Sequence, residues 1–249
     1  MSTKSQRRSD AVAHRRRASE VAAARLRRHR FMLWGGVAAV VVVAVVIAVI
    51  VSSGGDNVAS STKFETANVT ADGLALPRYD STAYAGNSKD PAIGITLPTL
   101  HGKSVFDGSP VTIKATGTPQ LILFVAHWCP HCQAEVPRLV SLAKDGAFKG
   151  VDVTAVATGT SSDYPNDPPS AWLKRVGWPF PVMADSGTQA AANAYGLSAY
   201  PFFLLVDANG KVAARGTGEL APADVVASVK ALKAGTPIPL LSPGASTAA

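Results

Sequence analysis

Sulfur is scarce in this chain: its 249 residues hold two cysteines and three methionines. Both cysteines lie in one tetrapeptide, Cys129-Pro130-His131-Cys132. That excludes a framework of several disulfides and a zinc site assembled from two CxxC pairs. No internal repeat is present. An excess of charge is also missing from most of the chain. The formal net charge is +7, yet residues 1–30 carry ten Lys/Arg against Asp10 and Glu20, and the remainder carries fourteen against fifteen acids. The basicity is a tail on a near-neutral body.

Charge is wholly absent from Phe31 to Val51, FMLWGGVAAVVVVAVVIAVIV. A helix of that length spans about 31 Å, roughly the hydrocarbon thickness of a bilayer. Arg25, Arg27, Arg28 and Arg30 abut this run, and Ser-Ser-Gly-Gly-Asp follows it. The charge bias predicts a cytoplasmic N-terminus and an extracytoplasmic remainder in the cell membrane. The long basic region, the length of the apolar run and the lack of a clean A-x-A site favour an uncleaved signal anchor over a cleaved peptide. A membrane-flanking role accounts for the basic tail, so no nucleic-acid partner is expected.

The expected organisation has five parts: a basic cytoplasmic tail (1–30), a transmembrane signal anchor in the lipid bilayer (31–51), a flexible linker (52–89), a catalytic domain (90–235) and a disordered tail (236–249). The linker is rich in Ser, Gly, Thr, Ala and Asn and has no apolar period. Within the domain, "TLPTLHGKSV" (96–105) suggests a hairpin turning at His101-Gly102. Leu121–Ala126 is a continuous apolar run, the pattern of a central strand buried on both faces. Val136, Leu139, Val140 and Ala143 then share one helix face. A parallel strand is expected at Val151–Ala157, a short helix at Ala171–Val176, a strand at Phe180–Met183 and a helix at Thr188–Tyr195. Phe202–Val206 and Lys211–Arg215 flank a "DANG" turn. A last helix over Pro222–Ala234 points Val225, Val226, Val229 and Leu232 inward and stops at Gly235. Alternating strands and helices of this kind predict an α/β sandwich.

The chemistry concentrates at the tetrapeptide. Pro130 suits a first helical turn, which puts Cys129 at a helix N-terminus, where free N–H groups and the dipole favour a thiolate. Cys132, three residues on, is placed to close a small disulfide ring and resolve a mixed disulfide. His131 adds a donor and, when protonated, a charge; both stabilise the Cys129 thiolate and make a pair more oxidising. His127, Cys129, His131 and Cys132 are four possible metal ligands, but their adjacency on one turn strains tetrahedral geometry, so no metal is expected. A purely structural disulfide across so short a loop constrains little of the unfolded chain.

"WCPHC" between a strand and a helix, with a later "YP" before an apolar strand, resembles the thioredoxin-like superfamily. "ITLPTLHGKSV", "WCPHCQAEVPRL", "WLKRVGWPFPVMAD" and "YGLSAYPFFLLVDANGKVAARGTGEL" resemble its membrane-anchored TlpA/ResA-type branch, over roughly 93–235. The Pro-His dipeptide is that of the DsbA-type oxidases. The resemblance implies a thioredoxin-like fold, a central mixed sheet flanked by helices, and thiol–disulfide exchange without a cofactor. It makes Cys129 the attacking and Cys132 the resolving cysteine, Pro201 a cis-proline facing the pair, and Trp128 and Tyr200 contributors to substrate contact. Glu135 matches an acidic position near the pair that accepts or relays the Cys132 proton. Pro137 kinks the active-site helix. Where thioredoxin itself has a buried aspartate, this chain has Leu123, so a relay falls to Glu135, His127, His131 or water.

The implied partners are cysteine-containing exported proteins or apocytochrome c, and a membrane redox partner that recycles the pair. His131 argues for an oxidase; Glu135 and the ResA-like frame argue for a reductase. The alternative is a copper-binding assembly factor of the same fold, but the Sco type uses CxxxC with a distant histidine, whereas here only His101 is distant. A peroxiredoxin is excluded because its P-x-x-x-[T/S]-x-x-C pattern is absent.

Overall fold

The computed structural model describes residues 65–84, 89–239 and 241. The basic tail and the apolar run at 31–51 lie outside them, and no helix among the described residues is long and apolar enough to cross a membrane.

The fold is built outward from β4 (Gln120–Val125), buried at all six positions. Side chains alternate across a strand, so Leu121, Leu123 and Val125 enter one core while Ile122 and Phe124 enter another on the opposite face. Two apolar faces need two covering layers, which is why this run has no polar alternation. β5 (Asp152–Ala157) lies parallel to β4, with Leu123 opposite Ala155. β7 (Phe202–Val206) lies antiparallel on its other side, with Leu123 opposite Phe203. β6 (Val182–Ala184) extends the sheet beyond β5, followed by β2 (Thr99–Ser104) and β1 (Thr70–Asp72); β3 (Pro110–Ile113) pairs with β2, and β8 (Val212–Thr217) with β7. The result is one mixed sheet of eight strands, in the order β1-β2-β6-β5-β4-β7-β8 with β3 attached to β2.

One face is covered by α1 (Pro130–Lys144), α2 (Pro169–Arg175) and α4 (Pro222–Ala234), which bury Val136 and Leu139, Trp172 and Leu173, and Val225, Val229 and Leu232. The other face is covered by α3 (Ala190–Ala194) together with Leu76 and Tyr79.

Four expectations are corrected. The hairpin does not turn at His101-Gly102. β2 runs straight through both residues, and the turn falls at Ser104–Ser109, closed by the Ser109 carbonyl accepting the Ser104 N–H at 2.8 Å. Gly102 serves packing instead: a Cβ there would lie 3.0 Å from Met183 on the adjoining strand. The strand expected at Phe180–Met183 is shifted to Val182–Ala184. Val226 is 40% exposed, because α4 turns only Val225, Val229 and Leu232 to the sheet.

The fourth correction concerns the domain ends. The described residues of the expected linker (65–84 and 89) and of the expected tail (236–239 and 241) belong to the packed domain. Glu65 is buried and accepts hydrogen bonds from the Ser170 N–H (3.1 Å) and hydroxyl at the start of α2. The Ala67 N–H donates to the Asp185 carbonyl at 3.2 Å, β1 pairs with β2, and Leu76 and Tyr79 are buried. Arg215, fully buried, donates to both Asp90 oxygens (2.8 and 2.5 Å) and to the Pro77 carbonyl (2.7 Å). Leu241 is buried against Gly216, where any Cβ would come within 2.6 Å of it. Segments poor in apolar residues join the domain through single anchors and paired backbone groups, which average composition does not register.

Candidate active site

β4 ends at Val125 and α1 begins at Pro130, so residues 126–129 form a tight connection at the end of the central strand. The Cys129 N–H donates to the Ala126 carbonyl at 3.1 Å, and the Cys129 carbonyl accepts the first helical hydrogen bond, from Gln133, at 3.0 Å. Cys129 is the N-cap residue with extended backbone, and Pro130 opens the helix without wasting a donor. Pro137 lies inside α1, one backbone donor short of a full ladder.

Both cysteines are free thiols and both are buried, Cys132 completely. Their environments separate them chemically. The Cys129 thiol is lowered to about 6, first by a hydrogen bond from Cys132, then by the backbone amides of Cys132 and His131 and by the charge of His131, against burial. Cys132 is pushed far upward, first by burial and then by the same pairing with Cys129. One sulfur is a thiolate at neutral pH and its neighbour stays protonated until a base takes its proton. Such a pair can attack a disulfide with one sulfur and release the product with the other.

The expected residues around Cys129 converge. The Tyr200–Pro201 peptide bond is cis, and the Tyr200 carbonyl accepts the Cys129 thiol at 3.8 Å. Trp128 and Tyr200 meet edge to face at 5.9 Å. The Trp128 indole N–H donates to the Gly159 carbonyl at 2.8 Å, and its ring packs on Tyr164 at 5.4 Å. The Tyr200 hydroxyl donates to Gln189 at 3.3 Å. Two aromatic rings thus stand beside a buried sulfur that lies 3.8 Å from a main-chain carbonyl.

Glu135 is buried one turn below Cys132. Burial pushes its carboxyl up to about 7, against the lowering influence of Arg138. Its Oε1 is buried without a hydrogen-bond partner, and its Oε2 accepts Arg138 at 3.4 Å. The carboxylate charge is felt at Cys132. A carboxyl poised near 7 beside a thiol of high pKa is suited to taking and returning that proton.

The rings of His131 and His127 hydrogen-bond to other groups than the sulfurs. The His131 side chain is 66% exposed and pairs with Glu219 at 2.8 Å. His127 is buried and turned into the loop after β5, its Nδ1 donating to the Pro165 carbonyl at 2.8 Å and its Nε2 accepting the Ser161 N–H at 3.2 Å. Its ring fastens the loop that carries Gly159 and Tyr164. Both histidines are therefore committed to other protein groups.

Four contributors escape the sequence: Glu219, Arg138, Gly159 and Gln189. Glu219 binds His131 through Oε1 and Arg138 through Oε2 at 2.6 Å. No local motif marks it, 88 positions from its partner. Gln189 adopts a left-handed backbone at φ 57° ahead of α3, a conformation a glutamine rarely takes.

Residues 93–232 match the redoxin family. The thiol-disulfide oxidoreductase ResA of Geobacillus thermodenitrificans is 31% identical over 57% of this chain and 79% of its own length. The methylamine utilization protein MauD of Methylophilus methylotrophus is 29% identical over 51% of this chain and 56% of its own. In structure, a conserved protein of Geobacillus kaustophilus superposes over 71% of this chain and 92% of its own at a TM-score of 0.54 and 24% identity, a likeness of fold alone.

Proposed function

Because the chain belongs to the redoxin family and is a thiol–disulfide oxidoreductase, we propose that it exchanges disulfides with exported proteins outside the cytoplasm, tethered to the membrane by residues 31–51. Cys129 attacks the client, Cys132 resolves the mixed disulfide, and Glu135 handles the Cys132 proton. The observation that carries this reading is the separation of the two thiols: Cys129 lowered to about 6 and Cys132 pushed upward by burial in the same helical turn.

In the reducing direction the Cys129 thiolate displaces one client sulfur as a thiolate and forms a Cys129–client disulfide. Cys132 gives its proton to Glu135 and attacks Cys129 Sγ. The Cys129–Cys132 bond forms, the client bond breaks, and the second client sulfur leaves. The oxidising direction is the reverse. Trp128, Tyr200 and the main chain at Pro201 hold the client strand beside Cys129. Clients are exported proteins with paired cysteines, apocytochrome c among them, and a membrane partner recycles the pair.

Equilibration of the full-length chain against glutathione tests the reading. A potential near about −120 mV marks a disulfide donor, and one near or below about −270 mV marks a reductant. Failure of Cys129 and Cys132 to form a disulfide overturns the exchange. The placement is tested by a membrane-impermeant maleimide on intact cells: labelling of reduced Cys129 without lysis is expected, and labelling only after lysis overturns it.

A further inference from the structure

Glu219 occupies the loop between β8 and α4, and that loop is fixed to the active-site wall: the Gly218 N–H donates to the Pro201 carbonyl at 2.9 Å. From this position Glu219 engages two side chains of α1. Its Oε1 takes His131 Nδ1 at 2.8 Å, and its Oε2 takes Arg138 Nη1 at 2.6 Å. The same Arg138 nitrogen reaches the buried Oε2 of Glu135 at 3.4 Å. Arg138 is 46% exposed on its own account, and a long exposed side chain left free spreads over many rotamers. One carboxylate therefore holds in place the cation that faces the buried Glu135.

We infer that Glu219 is a positioning residue for disulfide exchange: by holding Arg138 against Glu135 it keeps that carboxylate ready to take the Cys132 proton, and so sets the rate of the resolving step. The inference rests on the proposed role of Glu135. The charged and titratable groups facing Glu135 are Cys132 and Arg138 on its own helix and Glu219 opposite; Tyr200 faces the cysteines from the Pro201 side. Removing Glu219 takes away its own small upward push on Glu135, but it also lets Arg138 turn to solvent. The Arg138 charge is the larger influence, the Leu220 amide alone remains on the carboxylate side, and a larger fraction of Glu135 is protonated at neutral pH. A protonated Glu135 cannot accept the Cys132 proton, so the mixed disulfide persists. The attack by Cys129 needs no proton from Glu135 and is not limited by this step.

The test is a rapid-mixing reaction of the reduced full-length chain, whose two cysteines are its sole thiols, with an aromatic disulfide that releases a coloured thiolate. The first phase reports attack by Cys129 and the second reports resolution by Cys132. For Glu219→Gln the second phase is expected to slow by roughly two- to fivefold at neutral pH, the range for losing a part-exposed ion pair. Its pH profile moves to higher pH. Arg138→Met, which removes the cation but keeps the His131–Glu219 pair beside Cys129, is expected to reproduce the effect with the first phase at its parent rate, and Glu219→Asp to restore much of it. An unmoved second-phase profile in both Glu219→Gln and Arg138→Met overturns the inference, as does equal slowing of both phases in Arg138→Met. Glu135→Gln serves as the reference: if it leaves the second phase unchanged, the role of Glu135 itself falls, whatever Glu219 does.

Discussion

His131 and Glu219 stand 2.8 Å apart although 88 positions separate them in the chain. The histidine between the two cysteines is thus gripped by a carboxylate from the far end of the sheet. That carboxylate raises the His131 imidazole above its ordinary value, yet among the causes that lower Cys129 the charge of His131 ranks last, behind the Cys132 hydrogen bond and the backbone amides. The histidine of the Pro-His dipeptide is thus one half of an ion pair, and the Cys132 hydrogen bond and the backbone amides do more than its charge to hold Cys129 as a thiolate.

Cys132→Ser is expected to accumulate a Cys129–client mixed disulfide, seen as a mass increase reversed by reductant, because the attack survives and the resolution does not. Cys129→Ser forms no such adduct and its exchange activity falls to background. An adduct on Cys132 in the Cys129→Ser chain would contradict the division of roles.

The Cys129 thiolate predicts a pH profile. Alkylation by iodoacetamide, or thiolate absorbance, is expected to reach half its maximum near pH 6. The shift is downward, so its stabilising contribution is complete above the ordinary thiol value of about 8.5 and is lost as pH falls through about 6. The reduced protein should gain stability relative to the disulfide form between those limits, which paired denaturant melts at pH 6 and 8 measure.

Glu135 has the opposite sign. Its raised carboxyl contributes stability that is complete below the ordinary carboxyl value and is lost as pH rises through about 7. Glu135→Gln therefore improves relative to the parent as pH rises. Between pH 5 and 8 the difference in unfolding free energy is expected to move in favour of the variant by about 1–3 kcal/mol, in urea titrations of the reduced chain.

Arg215 and Asp90 form a buried ion pair far from the sulfurs. Arg215→Met leaves the buried Asp90 carboxylate without its countercharge, with only the Ala92 N–H still donating to it, and the Pro77 carbonyl without the Arg215 donor; it is expected to cost about 3–5 kcal/mol. Adding Asp90→Asn removes the stranded charge and recovers part of it, a coupling that a double-mutant cycle reads directly.

His127→Phe keeps the ring and removes both ring nitrogens, leaving the Ser161 N–H and the Pro165 carbonyl unpaired. The expected cost is about 1–3 kcal/mol. Hydrogen exchange in residues 158–168 should accelerate while the sheet strands keep their protection.

How much of this was legible follows from the range of each interaction. β4 shows itself because both of its faces are apolar within six consecutive residues. The Cys129–Cys132 pair shows itself because its spacing, its helix start and its proline are all local. Glu135 was legible by its position three residues after Cys132, although its burial was not, since a glutamate on a helix carries no mark of which way the helix turns. Glu219, Arg215 and His127 were illegible for a common reason. Each does its work through partners tens of residues away, and only the closure of the sheet brings them together. The domain start was hidden likewise, because Glu65, Leu76 and Tyr79 are single anchors in a stretch that otherwise looks soluble.

Those anchors bear on how the domain can be cut out for study. A piece beginning at residue 90 keeps the cysteines, Pro201 and Glu135, yet it discards β1, which pairs with β2, Glu65, which accepts the Ser170 N–H at the start of α2, and Tyr79, whose ring lies 5.3 Å from the Arg215 guanidinium. Such a fragment would enter solution with an uncovered sheet edge and a buried cation missing the Pro77 carbonyl, and its redox behaviour would be measured on a damaged frame. A faithful excision starts upstream of Glu65 and ends downstream of Leu241.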